Sequence, residues 1–79
     1  MPVAELIAWL ARQLVDEPDA VRVDEVEQDD VILLRLHVAP QDVGKVIGRQ
    51  GRIARALRTI ARAGGVNAPR RVALEIAED

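Results

Sequence analysis

The chain has 79 residues, of which 49% are hydrophobic and 30% are charged, and its formal net charge is −2. This size and balance predict one globular domain over residues 1–79 and disfavour a disordered or membrane-spanning chain. The absence of cysteine and serine excludes disulfides, thiol catalysis and a Ser-His-Asp triad, and a single histidine is a poor basis for a zinc site, so we expect no enzyme, no metal and no cofactor.

The first predicted element is a helix from Val3 to about Glu17. Apolar residues at positions 3, 6, 7, 10 and 14 form one stripe at helical spacing, and Pro18 ends the helix. Trp9 lies beside this stripe and is interpreted as a partly buried packing residue. The segment lacks a basic leader with a cleavage-like site, which together with the missing cysteine favours a cytoplasmic location.

Two strands are predicted next, at residues 21–28 and 31–38. The polar turn between them, Gln28-Asp29-Asp30, predicts an antiparallel hairpin. One face of the second strand is uniformly apolar, at positions 32, 34, 36 and 38, and is assigned to the core. His37 lies on the opposite face and is interpreted as a solvated side chain.

The second half of the chain predicts two helices and a strand. A short helix runs to about Ile47, a glycine-bracketed segment interrupts it, and a longer helix runs from Arg52 to about Ala63. The last strand is predicted at residues 71–77. The order α-β-β-α-α-β indicates an α+β fold.

Charge is divided unevenly along the chain. Residues 1–42 hold three basic and ten acidic residues, a net −7, whereas residues 43–79 hold eight basic and three acidic residues, a net +5. A near-neutral protein with one strongly basic segment has the electrostatic footprint of a polyanion binder, although a solvated helix face is the plainer alternative.

The basic segment contains the run Gly48-Arg49-Gln50-Gly51 between the two predicted helices. It matches neither the P-loop of nucleoside triphosphatases nor the glycine fingerprint of dinucleotide-binding folds. Glycines allow a sharp turn with positive φ, and free N–H groups at the start of the second helix favour an anion. Neighbouring basic residues add charge and apolar ones form a wall, which suits a single-stranded nucleic acid. The predicted binding residues are Lys45, Val46, Ile47, Gly48, Arg49, Gln50, Gly51, Arg52, Ile53 and Arg55.

The segment from Val46 to Ala54 resembles the KH-domain signature, which is an apolar pair, Gly-x-x-Gly and an apolar residue two positions further on. KH domains bind about four nucleotides with this loop. The element order is similar to the type-two arrangement, and the chain resembles the small stand-alone bacterial proteins of the KhpA (YlqC) family. This resemblance implies a single type-two KH domain, a three-stranded sheet with three helices packed on one face.

The same resemblance implies a role and partners. It implies a cytoplasmic RNA chaperone or post-transcriptional regulator that pairs with itself, or with a larger KH protein of the KhpB/Jag type. In some bacteria that pair is tied to cell elongation and cell shape. No membrane and no small-molecule substrate are expected.

Two alternatives to RNA binding follow from the acidic half. A protein-interaction module with an unused groove is favoured by the outward Val31 and Leu33. A metal-dependent nuclease would need the hairpin carboxylates at positions 24, 25, 27, 29 and 30, which are more simply a solvated turn. The sequence leaves open whether four further basic residues contact RNA: Arg58, Arg62, Arg70 and Arg71.

Overall fold

A computed structural model describes residues 1–78, which form three α-helices and a three-stranded mixed sheet. The predicted α-β-β-α-α-β order is confirmed, and Asp79, the last residue of the predicted domain, lies outside the described residues. The elements are α1 Val3–Leu14, β1 Arg22–Gln28, β2 Val31–His37, α2 Val43–Ile47, α3 Arg52–Gly64 and β3 Arg71–Ile76, with 3₁₀ turns at Pro18–Ala20, Pro40–Asp42 and Arg49–Gly51.

The sheet has the order β1-β2-β3, with β2 in the centre. The predicted hairpin is confirmed, because β1 and β2 pair antiparallel and are joined by Asp29 and Asp30, of which Asp29 has a φ of 51°. β3 pairs parallel with β2, so α2 and α3 form the crossover that such a connection requires. Consequently β3 is an edge strand with one side unpaired.

The helices pack on one face of the sheet. Alternate residues of β2 and β3, among them Leu34, Leu36 and Leu74, lie in one buried cluster with residues from all three helices. Burying this apolar surface is the main force that stabilises the fold. Within residues 1–78, no helix combines the length and the apolar character needed to cross a membrane.

α1 departs from its prediction in two ways. It ends at Leu14 instead of Glu17, because Val15 is already extended, with φ −101° and ψ 161°. The buried side of α1 is formed by Ile7, Ala8 and Ala11, a narrower and partly different set from the predicted stripe. Leu14 is therefore exposed and Trp9 is 51% exposed, so the interpretation of Trp9 as a packing residue is wrong.

The outer face of the sheet has side-chain contacts that the sequence did not indicate. The His37 side chain is only 18% exposed, and its Nε2 lies 3.0 Å from Oδ2 of Asp24, so the solvated interpretation of His37 is wrong. Asp24 also accepts a hydrogen bond from Arg22, which lowers its pKa. Strand alternation places Asp24 and Glu25 on opposite faces, and no cluster of three potential metal ligands forms among residues 1–78.

Asp42 joins the end of α1 to the start of α2. Its side chain is fully buried, and its Oδ2 accepts a hydrogen bond from the backbone N–H of Glu17 at 3.1 Å. Burial by itself raises the pKa of Asp42, but the backbone N–H groups of Asp16 and Glu17 and the Lys45 ammonium outweigh it, so the pKa is lowered overall. The ionised carboxylate therefore stabilises this junction.

We expect this junction to make the fold sensitive to acid. Because the pKa of Asp42 is lower in the folded than in the unfolded chain, its contribution to stability is fully present above the unfolded pKa, about 3.9, and is lost as the pH falls through the folded pKa. Asp42→Asn, which cannot ionise, should lower the urea midpoint at pH 7 and flatten its dependence on pH below about 5. The control is Asp19→Asn at an exposed site, and equal pH profiles for both variants would contradict the assignment.

Candidate nucleic-acid interface

The loop Gly48–Gly51 between α2 and α3 has three residues with positive φ. The (φ, ψ) pairs are 76° and 172° at Gly48, 58° and 24° at Gln50, and 74° and 16° at Gly51. The Gly48 conformation lies in a region that is essentially restricted to glycine, whereas the other two are left-handed helical. The sequence prediction of a sharp glycine-dependent turn is confirmed.

The two glycines serve different purposes. A Cβ on Gly48 would lie 2.7 Å from Cγ1 of Ile53, so Gly48 is needed for the close contact between the loop and the first turn of α3. A Cβ on Gly51 would have no neighbour within 4 Å. The surface at Gly51 is therefore open to a ligand backbone, while Gly48 supports the loop from within.

Two backbone N–H groups of the loop remain available. The N–H of Gly48 donates to the carbonyl of Gly44 at 2.9 Å, and that of Gly51 donates to the carbonyl of Gly48 at 3.1 Å. Within residues 1–78, the N–H groups of Arg49 and Gln50 donate to no acceptor. The sequence predicted free amides at the start of the second helix. In the structure the N–H group of Arg52 donates to the carbonyl of Arg49, and the loop amides without an acceptor, at Arg49 and Gln50, precede α3.

Arginine side chains of α3 hold the loop. Nη2 of Arg55 donates to the backbone carbonyl of Gln50 at 3.0 Å, and Nη2 of Arg52 donates to Oε1 of the Gln50 side chain at 3.1 Å. Both contacts fix the left-handed residue whose N–H group is free. Preorganised donors of this kind reduce the ordering cost of binding an anion.

Lys45 has a different environment from the one the sequence suggested. Its Nζ lies 3.1 Å from Oδ2 of Asp16 and 3.2 Å from Oδ1 of Asp42, and hydrogen bonds to these two carboxylates raise the pKa of Lys45. Its charge is therefore largely balanced within the chain. Val46 is fully buried and supports the loop from the core, while Ile47 and Ile53 are half-buried beside it.

A groove of about 560 Å³ lies between α3 and the edge strand β3. Its floor is apolar, with Ala56, Val72 and Leu74 among its residues. Four arginines line it, namely Arg55, Arg58, Arg62 and Arg71. The sequence left open whether Arg58, Arg62 and Arg71 contact a ligand. The helical spacing of Arg55, Arg58 and Arg62 is sufficient to place them along one side of α3, but the position of Arg71 and the groove floor depends on the parallel pairing of β3.

The outer side of β3 presents backbone groups to this groove. The N–H groups of Arg71 and Ala77 donate to carbonyls of the β2 side, at Asp30 and Leu36, with distances of 3.2 and 2.9 Å. Because successive residues of a strand point their backbone groups to opposite sides, those of Val72 and Leu74 face the unpaired edge. The groove therefore offers donors and acceptors as well as apolar surface.

The charge around the loop and groove is uncompensated. Six arginines are exposed and form no ion pair within the part of the chain that the structure describes: Arg49, Arg52, Arg55, Arg58, Arg62 and Arg71. Arg70, by contrast, is paired with Glu27. A set of guanidinium groups without a carboxylate partner, beside an apolar groove, attracts a flexible polyanion.

Comparison with known proteins gives a consistent result. The sequence profile described as "KhpA/KhpB, KH domain" matches residues 4–76. Curated relatives described as "RNA-binding protein KhpA" include one from Caldanaerobacter subterraneus, 49% identical over 94% of this chain and 99% of its own, and one from Clostridium acetobutylicum, 51% identical over 91% of this chain and 96% of its own. The Bacillus subtilis relative of the same description is 49% identical over 91% of this chain and 89% of its own.

Among solved structures, the fold is similar to part of Era from Aquifex aeolicus. The TM-score is 0.67 with 24% sequence identity, over 94% of this chain and 29% of that longer chain. At this identity the similarity concerns the fold alone.

Proposed function

Since this chain belongs to the KhpA/KhpB family of KH domains, we propose that it is a non-catalytic, cytoplasmic protein that binds single-stranded RNA and acts as an RNA chaperone or post-transcriptional regulator. The observation that carries the proposal is the pair of free N–H groups, at Arg49 and Gln50, beside a groove lined by unpaired arginines. We further propose that residues 1–79 form one domain.

In this proposal the loop holds the RNA backbone. The N–H groups of Arg49 and Gln50 donate to phosphate oxygens, and the open surface at Gly51 lets the sugar-phosphate chain come close. Arg49, Arg52 and Arg55 supply the positive charge, whereas Lys45 acts mainly within the fold. The remaining residues of the predicted set, Val46, Ile47, Gly48 and Ile53, keep the loop in position.

The bases then lie over the groove. The backbone groups of Val72 and Leu74 are accessible only to base edges that are free of a Watson–Crick partner, which favours a single strand over a duplex. The chain has no phenylalanine or tyrosine, and its one tryptophan lies on α1, so the bases rest on aliphatic and guanidinium surfaces. We therefore expect modest affinity and low sequence specificity.

The direct test is RNA binding as a function of salt. If the loop and three to five neighbouring arginine contacts neutralise phosphates, the logarithm of the association constant should fall with the logarithm of the salt concentration, with a slope of about −2 to −3.5. Fluorescence anisotropy with a labelled pyrimidine-rich hexamer measures this slope. A matched duplex should bind more weakly, and equal binding of both, or no binding at low salt, would contradict the proposal.

A second candidate function is protein interaction, through a homodimer or through a heterodimer with a larger KH protein of the KhpB/Jag type. The observation that favours it is apolar exposure on α1, where Trp9 is 51% and Leu14 is 37% exposed. Light scattering with and without RNA separates the cases. A dimer that binds RNA supports both functions, while a dimer without RNA binding favours interaction alone.

A further inference from the structure

A second cavity, which we name the far cavity, lies beyond the C-terminal end of α3. Its volume is about 380 Å³, and it is bounded by the loop that leads from α3 to β3. It shares Arg62, Arg71 and Val72 with the groove between α3 and β3, so the two spaces are adjacent. A Cβ on Gly65 would lie 2.4 Å from Cγ2 of Val72, which shows how closely the loop is held against β3.

The lining of the far cavity combines apolar surface with positive charge. Val66 is 77% exposed and Pro69 lies on the same loop, so they offer an apolar surface for one face of a base. Arg62 and Arg71 are free of ion pairs within residues 1–78 and are available to a phosphate or to a base plane. This combination matches the chemistry of a nucleotide.

The position of the far cavity matches the path of a bound strand. α3 runs from the glycine loop to Arg62 over roughly 16 Å, and the groove lies beside it from Arg55 to Arg62. A strand that leaves the loop along the row of arginines therefore reaches the far cavity after the groove. The loop and groove account for about four nucleotides in a KH domain.

We propose that the far cavity is a further nucleotide subsite, so that the RNA footprint of this chain extends beyond the nucleotides held at the loop and groove. This inference rests on the proposed function and adds one position to it. Arg70 gives the subsite a second property, because its guanidinium is paired with Glu27 on β1. The ion pair reduces the charge that faces the RNA, and loss of Glu27 makes this charge available.

The experiment measures the affinity for uridine oligomers of four, six and eight nucleotides with the full chain and two variants. Val66→Glu places a carboxylate in the far cavity, and Ala20→Glu adds the same charge at an exposed apolar site in the turn Pro18–Ala20. We expect Val66→Glu to bind the four-mer as the unmodified chain does. Its gain in affinity from four to eight nucleotides should be at least about threefold smaller than that of the unmodified chain, while Ala20→Glu keeps the full gain.

Removing the carboxylate of Glu27 is an independent test, because it should raise the affinity that Val66→Glu lowers. Glu27→Gln should raise the affinity for the eight-mer by about two- to fivefold with little effect on the four-mer, while Glu25→Gln, the same charge change on the same strand face, should affect both equally. Unchanged length dependence in both Val66→Glu and Glu27→Gln would overturn the inference. Absence of binding to any oligomer would instead overturn the proposed function.

Discussion

Replacing Arg49 and Gln50 together with aspartate should lower the affinity for a short single-stranded RNA by about 100-fold. The double variant changes the loop charge by three units next to the phosphates, and each unit is worth about 1 kcal/mol at 4 Å in water. Aspartate tolerates the left-handed conformation of Gln50, and both side chains are exposed, so the fold should persist. Anisotropy titration measures the affinity, and circular dichroism checks the fold.

The chain contains a matched control for this variant. Arg12 and Gln13 form the same dipeptide on an exposed part of α1, so Arg12→Asp with Gln13→Asp makes the same change in net charge away from the loop. The control should lower the affinity by less than about threefold at physiological salt, where charges beyond about 8 Å are screened. Similar losses of affinity in both double variants would show that RNA binding depends only on the net charge of the chain, and would contradict a specific role for the loop.

Gly48→Ala should produce the largest loss of stability among the loop substitutions, about 2 to 4 kcal/mol. A non-glycine residue at φ 76° and ψ 172° is strained, and its methyl group would lie 2.7 Å from the Ile53 side chain. Relief of this contact must shift the first turn of α3, which carries Arg52 and Arg55. Urea denaturation gives the free energy of unfolding, and RNA affinity should fall with it.

Gly51→Ala separates backbone strain from crowding. Its φ of 74° is left-handed helical and nothing lies within 4 Å of the new methyl group, so we expect a cost of only about 1 to 2 kcal/mol. RNA affinity should nevertheless fall, because the methyl group occupies the surface on which the RNA backbone is proposed to lie. Equal stability losses for the two alanine variants would contradict the assigned difference between these glycines.

Local pattern was sufficient to predict most of the fold. Hydrophobic alternation predicted β2 and its core face, and the two-aspartate turn predicted the hairpin, because both signals depend on neighbours in sequence. The end of α1 was missed because the backbone is already extended at Val15, before Pro18, and the segment that follows is held by a contact from Asp42, 25 residues away, to the N–H group of Glu17. Trp9 was misjudged because Ala8 and Ala11, instead of larger residues, face the sheet.

The candidate site was predicted in its loop and only partly in its surroundings. Gly48 and Gly51 follow from a short motif, and their positive φ values were expected from glycine alone. Lys45 forms an ion pair with Asp16, and Arg71 lines the groove together with residues of α3. Both arrangements depend on tertiary contacts, which the local spacing of residues does not predict. The same holds for Arg70, whose partner Glu27 lies on the far edge strand.

The most direct measurement of the central claim is an NMR titration of the ¹⁵N-labelled chain with a short pyrimidine-rich RNA. The account predicts that the largest amide shifts occur at Arg49 and Gln50, with smaller shifts along the groove at Val72 and Leu74, and that these two loop amides become protected from exchange. Shifts confined to the outer face of the sheet, around Leu33 and Arg35, with the loop amides unchanged, would contradict it.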